Sequence, residues 1–221
     1  MNTLLLRLVG PMQSWGVQSR FGVRDTGLEP SKSGVIGLLC AALGKPRDEA
    51  HPANTGKPSL ADLAQLRMGV RVEREGSLRV DYHTASNVLK ASGGLKDTEL
   101  SNRYYLADAY FLVGLQGSDL HLLETLDAAL RRPVWPLFLG RKSFIPSEPV
   151  CLEHGLKMGL KLEEALDQKN IPYLGRMPAP SRLRWVLEDP QGEIVRQDVP
   201  LSFSERRFLP RRVSYLFIDH Q

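Results

Sequence analysis

Apolar residues fall in short runs broken by glycine, proline and polar stretches, and the period of each run predicts an element. "TLLLRLVG" (3–10) is leucine-rich, closed by Gly10 and Pro11, and predicts a first strand. "VIGLLCAAL" (35–43) is apolar on nearly every side, so a helix over about 32–43 should pack deep against a sheet. Ser31 stands at its N-cap after Pro30, and Gly44 stands at its stop. A short helix over 59–66 precedes "MGVRVERE" (68–75), whose alternation predicts a strand with one solvated face. "AYFLVGLQG" (109–117) reads as a buried strand. "SDLHLLETLDAALRRP" (118–133) places Leu122, Leu123, Leu126 and Leu130 on one helical face, capped by Ser118 or Asp119 and ended by Pro133. "VWPLFLG" (134–140) predicts a further strand.

The order strand, helix, strand, strand, helix, strand predicts an α+β fold of the ferredoxin-like (RRM-like) β-α-β-β-α-β kind over residues 1–150. Residues 77–105 interrupt it: "RVDYHTAS" extends a strand, and the glycine-punctuated stretch after it predicts a protruding hairpin or loop. Residues 151–221 hold a helical patch ("LKLEEALDQ"), proline-rich turns and short strands ending in "VSYLFID", and predict a small β-rich C-terminal extension packed on the body.

Composition adds little until charge is considered. Hydrophobic residues at 42% and charged residues at 24% are ordinary for a soluble domain. No 18-residue apolar run exists, and Arg7 interrupts the N-terminal apolar stretch, so neither a membrane span nor a signal peptide is expected. Cys40 and Cys151 form no CxxC pair, which suits a reducing cytoplasm. The net charge of +4 is unevenly spread. Arg131, Arg132, Arg141 and Lys142 share an acid-free stretch. So do Lys169, Arg176, Arg182 and Arg184, and Arg206, Arg207, Arg211 and Arg212 crowd Pro210. Such stretches in loop settings point to a surface that follows phosphates, or to solvated faces.

Three short elements carry candidate chemistry. "SKSG" (31–34) resembles the end of a phosphate-binding loop, but the pattern needs glycine at 26 and 31, where this chain has Thr26 and Ser31. Lys32 and Ser33 therefore either hold one phosphate at a helix N-terminus or belong to a capped, packed helix. "LGRKS" (139–143) offers Gly140 for close approach, Arg141 and Lys142 for charge and Ser143 for a hydroxyl, parts that suit an RNA backbone or a tight turn. "DYHT" (81–84) pairs Tyr82 with His83, which a metal-independent endoribonuclease could use as acid and base; a strand histidine with a structural hydrogen bond is the other reading. No HExxH, GxSxG or CxxC occurs, and neither metal nor cofactor is expected.

"LRLVGPMQSWG" (6–16), "RDTGLEPSKSGVIGLLCAALG" (24–44), "DYHT" and "LGRKS" stand in the order and spacing of the CasD family. The chain resembles this family, the repeat-associated mysterious proteins of type I-E CRISPR Cascade complexes, over about its first 150 residues. The resemblance implies a ferredoxin-like body with a thumb inserted at about 80–106. It implies a non-catalytic subunit that binds the 5′ handle of CRISPR RNA and caps that end of the assembly. Backbone and large subunits of the Cascade complex are the implied partners, and target DNA is engaged only indirectly. By the same resemblance Gln13, Ser14, Trp15, Lys32, Ser33, Arg141, Lys142 and Ser143 line the handle site, Trp15 for base stacking and the others for phosphates. Arg20, Arg24 and Arg103 are added on charge alone. A related subunit of another CRISPR subtype cleaves precursor RNA, so the endoribonuclease reading through Tyr82 and His83 stays as the alternative.

Overall fold

The computed structural model describes residues 1–16, 22–168 and 182–219. Strand β1 (Asn2–Val9) is followed by two short strands, β2 (Met12–Gln13) and β3 (Val23–Arg24). Helices α1 (Lys32–Ala42) and α2 (Leu60–Gln65) lead into β4 (Arg67–Arg74). A long hairpin, β5 (Ser77–Leu89) and β6 (Leu95–Ala107), precedes β7 (Tyr110–Gly117) and α3 (Leu120–Arg131). The chain then runs through β8 (Cys151–Lys157), α4 (Leu162–Leu166), β9 (Arg182–Glu188), β10 (Ile194–Ser202) and β11 (Arg207–Asp219). The fold is α+β, with few helices on a mostly antiparallel sheet. Among the described residues no helix is long and apolar enough to cross a membrane.

Seven strands form one sheet in the order β10-β11-β9-β4-β7-β1-β8. Alternation along β1 sends Leu4, Leu6 and Leu8 to one face, where α1, α2 and α3 bury them under Val35, Ile36, Leu39, Leu63 and Leu126. Leu5 goes to the other face, where Leu162, Ala165 and Leu166 of α4 cover it together with Leu112, Trp185 and Leu187. Gly69 and Gly114, partners across β4 and β7, open the trough for α4. A Cβ at Gly114 would lie 2.6 Å from Leu162 Cδ1. The C-terminal strands β9–β11 continue the sheet from β4.

Two expectations need correction. Residues 134–140 form no strand. Their amides instead close α1: Val134 N donates to Ala42 O and Trp135 N to Ala41 O, satisfying carbonyls that the helix end leaves open. The strand that follows α3 is β8, which pairs with β1. The second correction concerns β4, whose polar face is not solvated, because Arg71 and Glu73 are both buried. They pair with each other at 2.6 Å, and Arg71 also donates to the Leu166 carbonyl at the end of α4. The polar alternation thus marks a buried ion pair rather than a wet face.

The hairpin lies outside that sheet. β6 pairs with β5, with β2 antiparallel and with β3 parallel, so its base is stitched to the loop that follows β1. Its tip turns through Gly93 and Gly94, both at positive φ.

Because removing one member of a buried pair strands the other, Arg71→Ala should lower unfolding free energy by about 4 kcal/mol. Arg207→Ala, which breaks an exposed pair with Glu205, should cost at most about 0.5 kcal/mol. Urea denaturation of both variants checks the contrast.

Candidate nucleic-acid interface

Ser31 caps α1, its Oγ accepting from Gly34 N at 3.3 Å. Lys32 is 1% exposed, and its ammonium donates to both carboxylate oxygens of Glu188, each at 2.9 Å. Its backbone N–H donates to Asp198 Oδ2 at 2.7 Å, and Arg211 holds the same carboxylate at 2.7 and 3.0 Å. Two carboxylates of the chain therefore stand where a phosphate was expected. Burial pulls Lys32 below the usual lysine pKa even though Glu188 opposes it. The Ser33 hydroxyl reaches only Ser31 Oγ, at 3.4 Å. The expectation that Lys32 and Ser33 grip RNA phosphate is corrected on these grounds: the charge is spent inside the fold.

Trp15 is corrected in the same way. Its ring is 2% exposed and lies against Gly34, where a Cβ would come within 2.9 Å of Trp15 Cε3. Its Nε1 donates to Gln13 Oε1, and Gln13 Nε2 donates to the carbonyls of Leu8 and Ala109. No face of the indole is open to a base. Gln13 and Trp15 instead lock the chain after β1 against α1. Ser14 Oγ donates to the carbonyls of Tyr104 and Asp25, which joins that segment to the hairpin.

This foundation carries a cleft of about 350 Å³ between the hairpin base and the loop 139–144, lined by Met12, Asp81, His83, Arg103, Tyr105, Arg141, Ser143 and Phe144. The loop is set by Gly140 at φ +92°, where a Cβ would stand 1.7 Å from the Ser14 carbonyl oxygen. Ser14 N donates to Leu139 O, and Leu139 N to Phe144 O, so the loop closes on itself against β2. Arg141 donates to the carbonyls of Tyr104 at 2.8 Å and Arg24 at 3.2 Å, and its guanidinium sits over the Phe144 ring. Lys142 and Ser143 are exposed beside it.

The cleft gathers Arg103, Arg141 and Ser143 from the expected set, with Arg24 close enough to act electrostatically on Arg141. Gln13, Ser14 and Trp15 support it from below, Lys32 belongs to the buried network, Ser33 stands half-buried beside the Ser31 cap, and Arg20 lies outside the described residues. Asp81, Tyr105 and Phe144 were not anticipated. The signal was available: Asp81 with His83, and Arg103 with Tyr105, are spaced by two on strands, so each pair shares a face. The same alternation sends Tyr82 to the opposite face, where it is 63% exposed. Tyr82 and His83 thus do not converge on one phosphate, which removes the geometry that an acid–base pair requires.

The charges of the cleft differ from those elsewhere. Lys32, Lys45, Arg71 and Arg211 are buried and each has a carboxylate partner. Among the described residues Arg24, Arg103, Arg141 and Lys142 form no ion pair. Partial burial and the neighbouring Arg103 charge, with Arg24 adding to it, push the Arg141 pKa below the ordinary arginine value. The Asp81 and Asp25 carboxylates oppose that shift, so four cations stand near two acids and positive charge is in excess at the cleft, a setting for an anion. Among the described residues no cluster of three or more His, Cys, Asp or Glu side chains could hold a metal ion.

Gly140→Ala should displace the loop and lower stability by about 3 kcal/mol, since both the φ and the Ser14 carbonyl exclude a side chain. Thermal unfolding checks the loss; a variant as stable as the parent would contradict the described approach.

Known proteins match this chain over nearly its whole length. A family model described as CRISPR-associated protein (Cas_Cas5) matches residues 3–214. CasD, a subunit of the CRISPR system Cascade of Escherichia coli (strain K12), is 34% identical over 155 residues, covering 67% of this chain and 69% of that protein. A solved structure described as a crystal structure of a Cas protein is 44% identical, with a TM-score of 0.77 over 98% of this chain and 95% of its own. A chain of a CRISPR RNA-guided surveillance complex is 33% identical, with a TM-score of 0.77 over 98% of this chain and 90% of its own. With a family match spanning all but the chain's ends, this protein belongs to the Cas5 family of CRISPR-associated proteins.

Proposed function

We propose that this chain is the subunit of a type I-E CRISPR RNA-guided surveillance complex that binds the 5′ handle of CRISPR RNA and caps that end of the assembly. The observation that carries the proposal is the meeting at the cleft of Arg24, Arg103 and Arg141, which form no ion pair among the described residues, while the buried Lys32, Lys45, Arg71 and Arg211 are each paired. Phosphates supply the missing negative charge, and Lys142 and Ser143 extend the track along the loop. Tyr105, half-buried on the cleft wall against the buried Phe144, gives the cleft an aromatic surface of the kind on which unstacked RNA bases pack.

The body is ferredoxin-like in this reading, supported by the partial order β8-β1-β7-β4, in which β8, from the segment expected as the extension, takes the place of the fourth strand expected at 134–140. The β5–β6 hairpin is the thumb inserted in residues 1–150, and residues 151–221 form the β-rich extension. Leu78, Val80, Tyr82 and Leu100 leave one face of the thumb apolar and exposed, which suits contact with a backbone subunit. The large subunit is the second partner, target DNA is met only through the guide, and the assembly works in the cytoplasm without catalysis by this chain.

Pull-down of the tagged chain from its native cells should recover short RNAs that share one 5′ end, together with several partner subunits. Recovery of the chain without RNA would contradict the proposal. In binding titrations, Arg103→Ala and Arg141→Ala should each flatten the log–log salt dependence by about 0.7 per lost phosphate contact. Lys32→Ala should leave that slope unchanged, because its ammonium is held by Glu188. An unchanged slope in both arginine variants would remove the cleft from the interface.

A further inference from the structure

The cleft contains one residue that a phosphate track does not explain. Asp81 lines it beside His83 and stands directly opposite Arg103 in the β5–β6 ladder. A carboxylate so placed repels the RNA backbone, and among the described residues it makes no hydrogen bond or ion pair that would occupy it. Arg103 donates to Ser101 Oγ instead, and Arg141 to two main-chain carbonyls. The Asp81 carboxylate thus acts on Arg141 through charge alone and keeps its hydrogen-bond acceptor sites on the cleft wall.

RNA brings three kinds of donor that reach it without a phosphate: the ribose 2′-hydroxyl on every nucleotide, the ring N–H of guanine and uracil, and the exocyclic amino group, which alone separates adenine, guanine and cytosine from uracil. At about 350 Å³ the cleft has the scale of one small ligand rather than of a helix. Tyr105 and Phe144, with ring centres 5.9 Å apart, wall its apolar side. A base splayed into it packs on that wall and turns its edge toward β5. We propose that Asp81 is a specificity-determining residue that accepts a hydrogen bond from the amino group of one RNA base, so that the cleft selects an amino-bearing base over uracil at one position. The inference rests on the RNA-binding reading above and adds to it a base contact among the phosphate contacts. A carboxylate that merely positioned Arg103 and Arg141 would affect every RNA alike.

The test titrates the full chain with short oligouridines carrying a single adenosine at each position in turn. A matched set carries purine riboside, which lacks only the 6-amino group, and a guanosine and inosine set examines the 2-amino group. At one position the amino-bearing base should bind about tenfold tighter than its amino-free counterpart, the size of a hydrogen bond to a charged acceptor. Asp81→Ala should bring that ratio close to one while oligouridine itself binds no more weakly. Asp81→Asn, which keeps a neutral acceptor, should retain part of the ratio. Equal binding of matched pairs at every position would overturn the inference and leave RNA binding standing, as would a ratio that survives in Asp81→Ala. A uniform loss of affinity in Asp81→Ala with the ratio intact would assign the residue to positioning and overturn the inference equally. Failure of every oligomer to bind at low salt would overturn the RNA-binding reading itself.

Discussion

The N-terminus of α1 is held by the chain's own carboxylates, and much else depends on that contact. Asp198 accepts from the Lys32 amide, Glu188 takes the Lys32 ammonium, and Arg211 bridges toward both acids. These residues come from α1, β9, β10 and β11, so one charge network ties the start of the chain to its last strands. Glu29 repeats the device just before the helix, pairing with Arg184 and Arg196 and accepting from the Tyr215 hydroxyl. Burial of these charges is costly, and their pairing offsets the cost without exceeding it by much. What the network secures is position: α1 is fixed on the sheet, Gly34 is pressed on Trp15, and Trp15 in turn fixes Gln13 and Ser14.

The cleft is the outcome of that chain of contacts. Ser14 presents its carbonyl to Gly140 at a distance that no other residue would allow, and the loop so placed brings Arg141 over Phe144 and against the hairpin. Among the described residues the buried Lys32, Lys45, Arg71 and Arg211 are each paired, whereas at the hairpin base Arg103 and Arg24 act against Arg141 and only the charges of Asp81 and Asp25 oppose them. The same geometry separates Tyr82 from His83, which lie on opposite faces of β5.

Much of the architecture was legible from periodicity. The apolar helix at 32–43, the amphipathic helix before Pro133 and the strands at 3–10 and 109–117 all lie within a residue or two of α1, α3, β1 and β7. The resemblance to the CasD family was carried by motifs whose residues prove to be structural as often as functional. Lys32 and Trp15 sit in those motifs because the fold needs them, and one sequence cannot distinguish a lysine that grips phosphate from one that grips Glu188, 156 residues away. Residues 134–140 look like a strand because they are apolar, yet Val134 and Trp135 are exposed, only Leu139 is buried, and the amides of Val134 and Trp135 are spent on capping α1. The polar face of β4 looked solvated for the converse reason, since its two charges neutralise each other under α4. Long-range pairing of this kind leaves no local trace.

The central claim is that RNA lies in the cleft between the hairpin and the Gly140 loop, and not at the N-terminus of α1. Ultraviolet crosslinking of the RNA-loaded protein from native cells, followed by mass spectrometry of the linked peptides, tests it most directly. The account predicts crosslinks on the peptides that carry Tyr105 and Phe144. Crosslinks confined to the peptide that carries Trp15 or to residues 31–37 would contradict it.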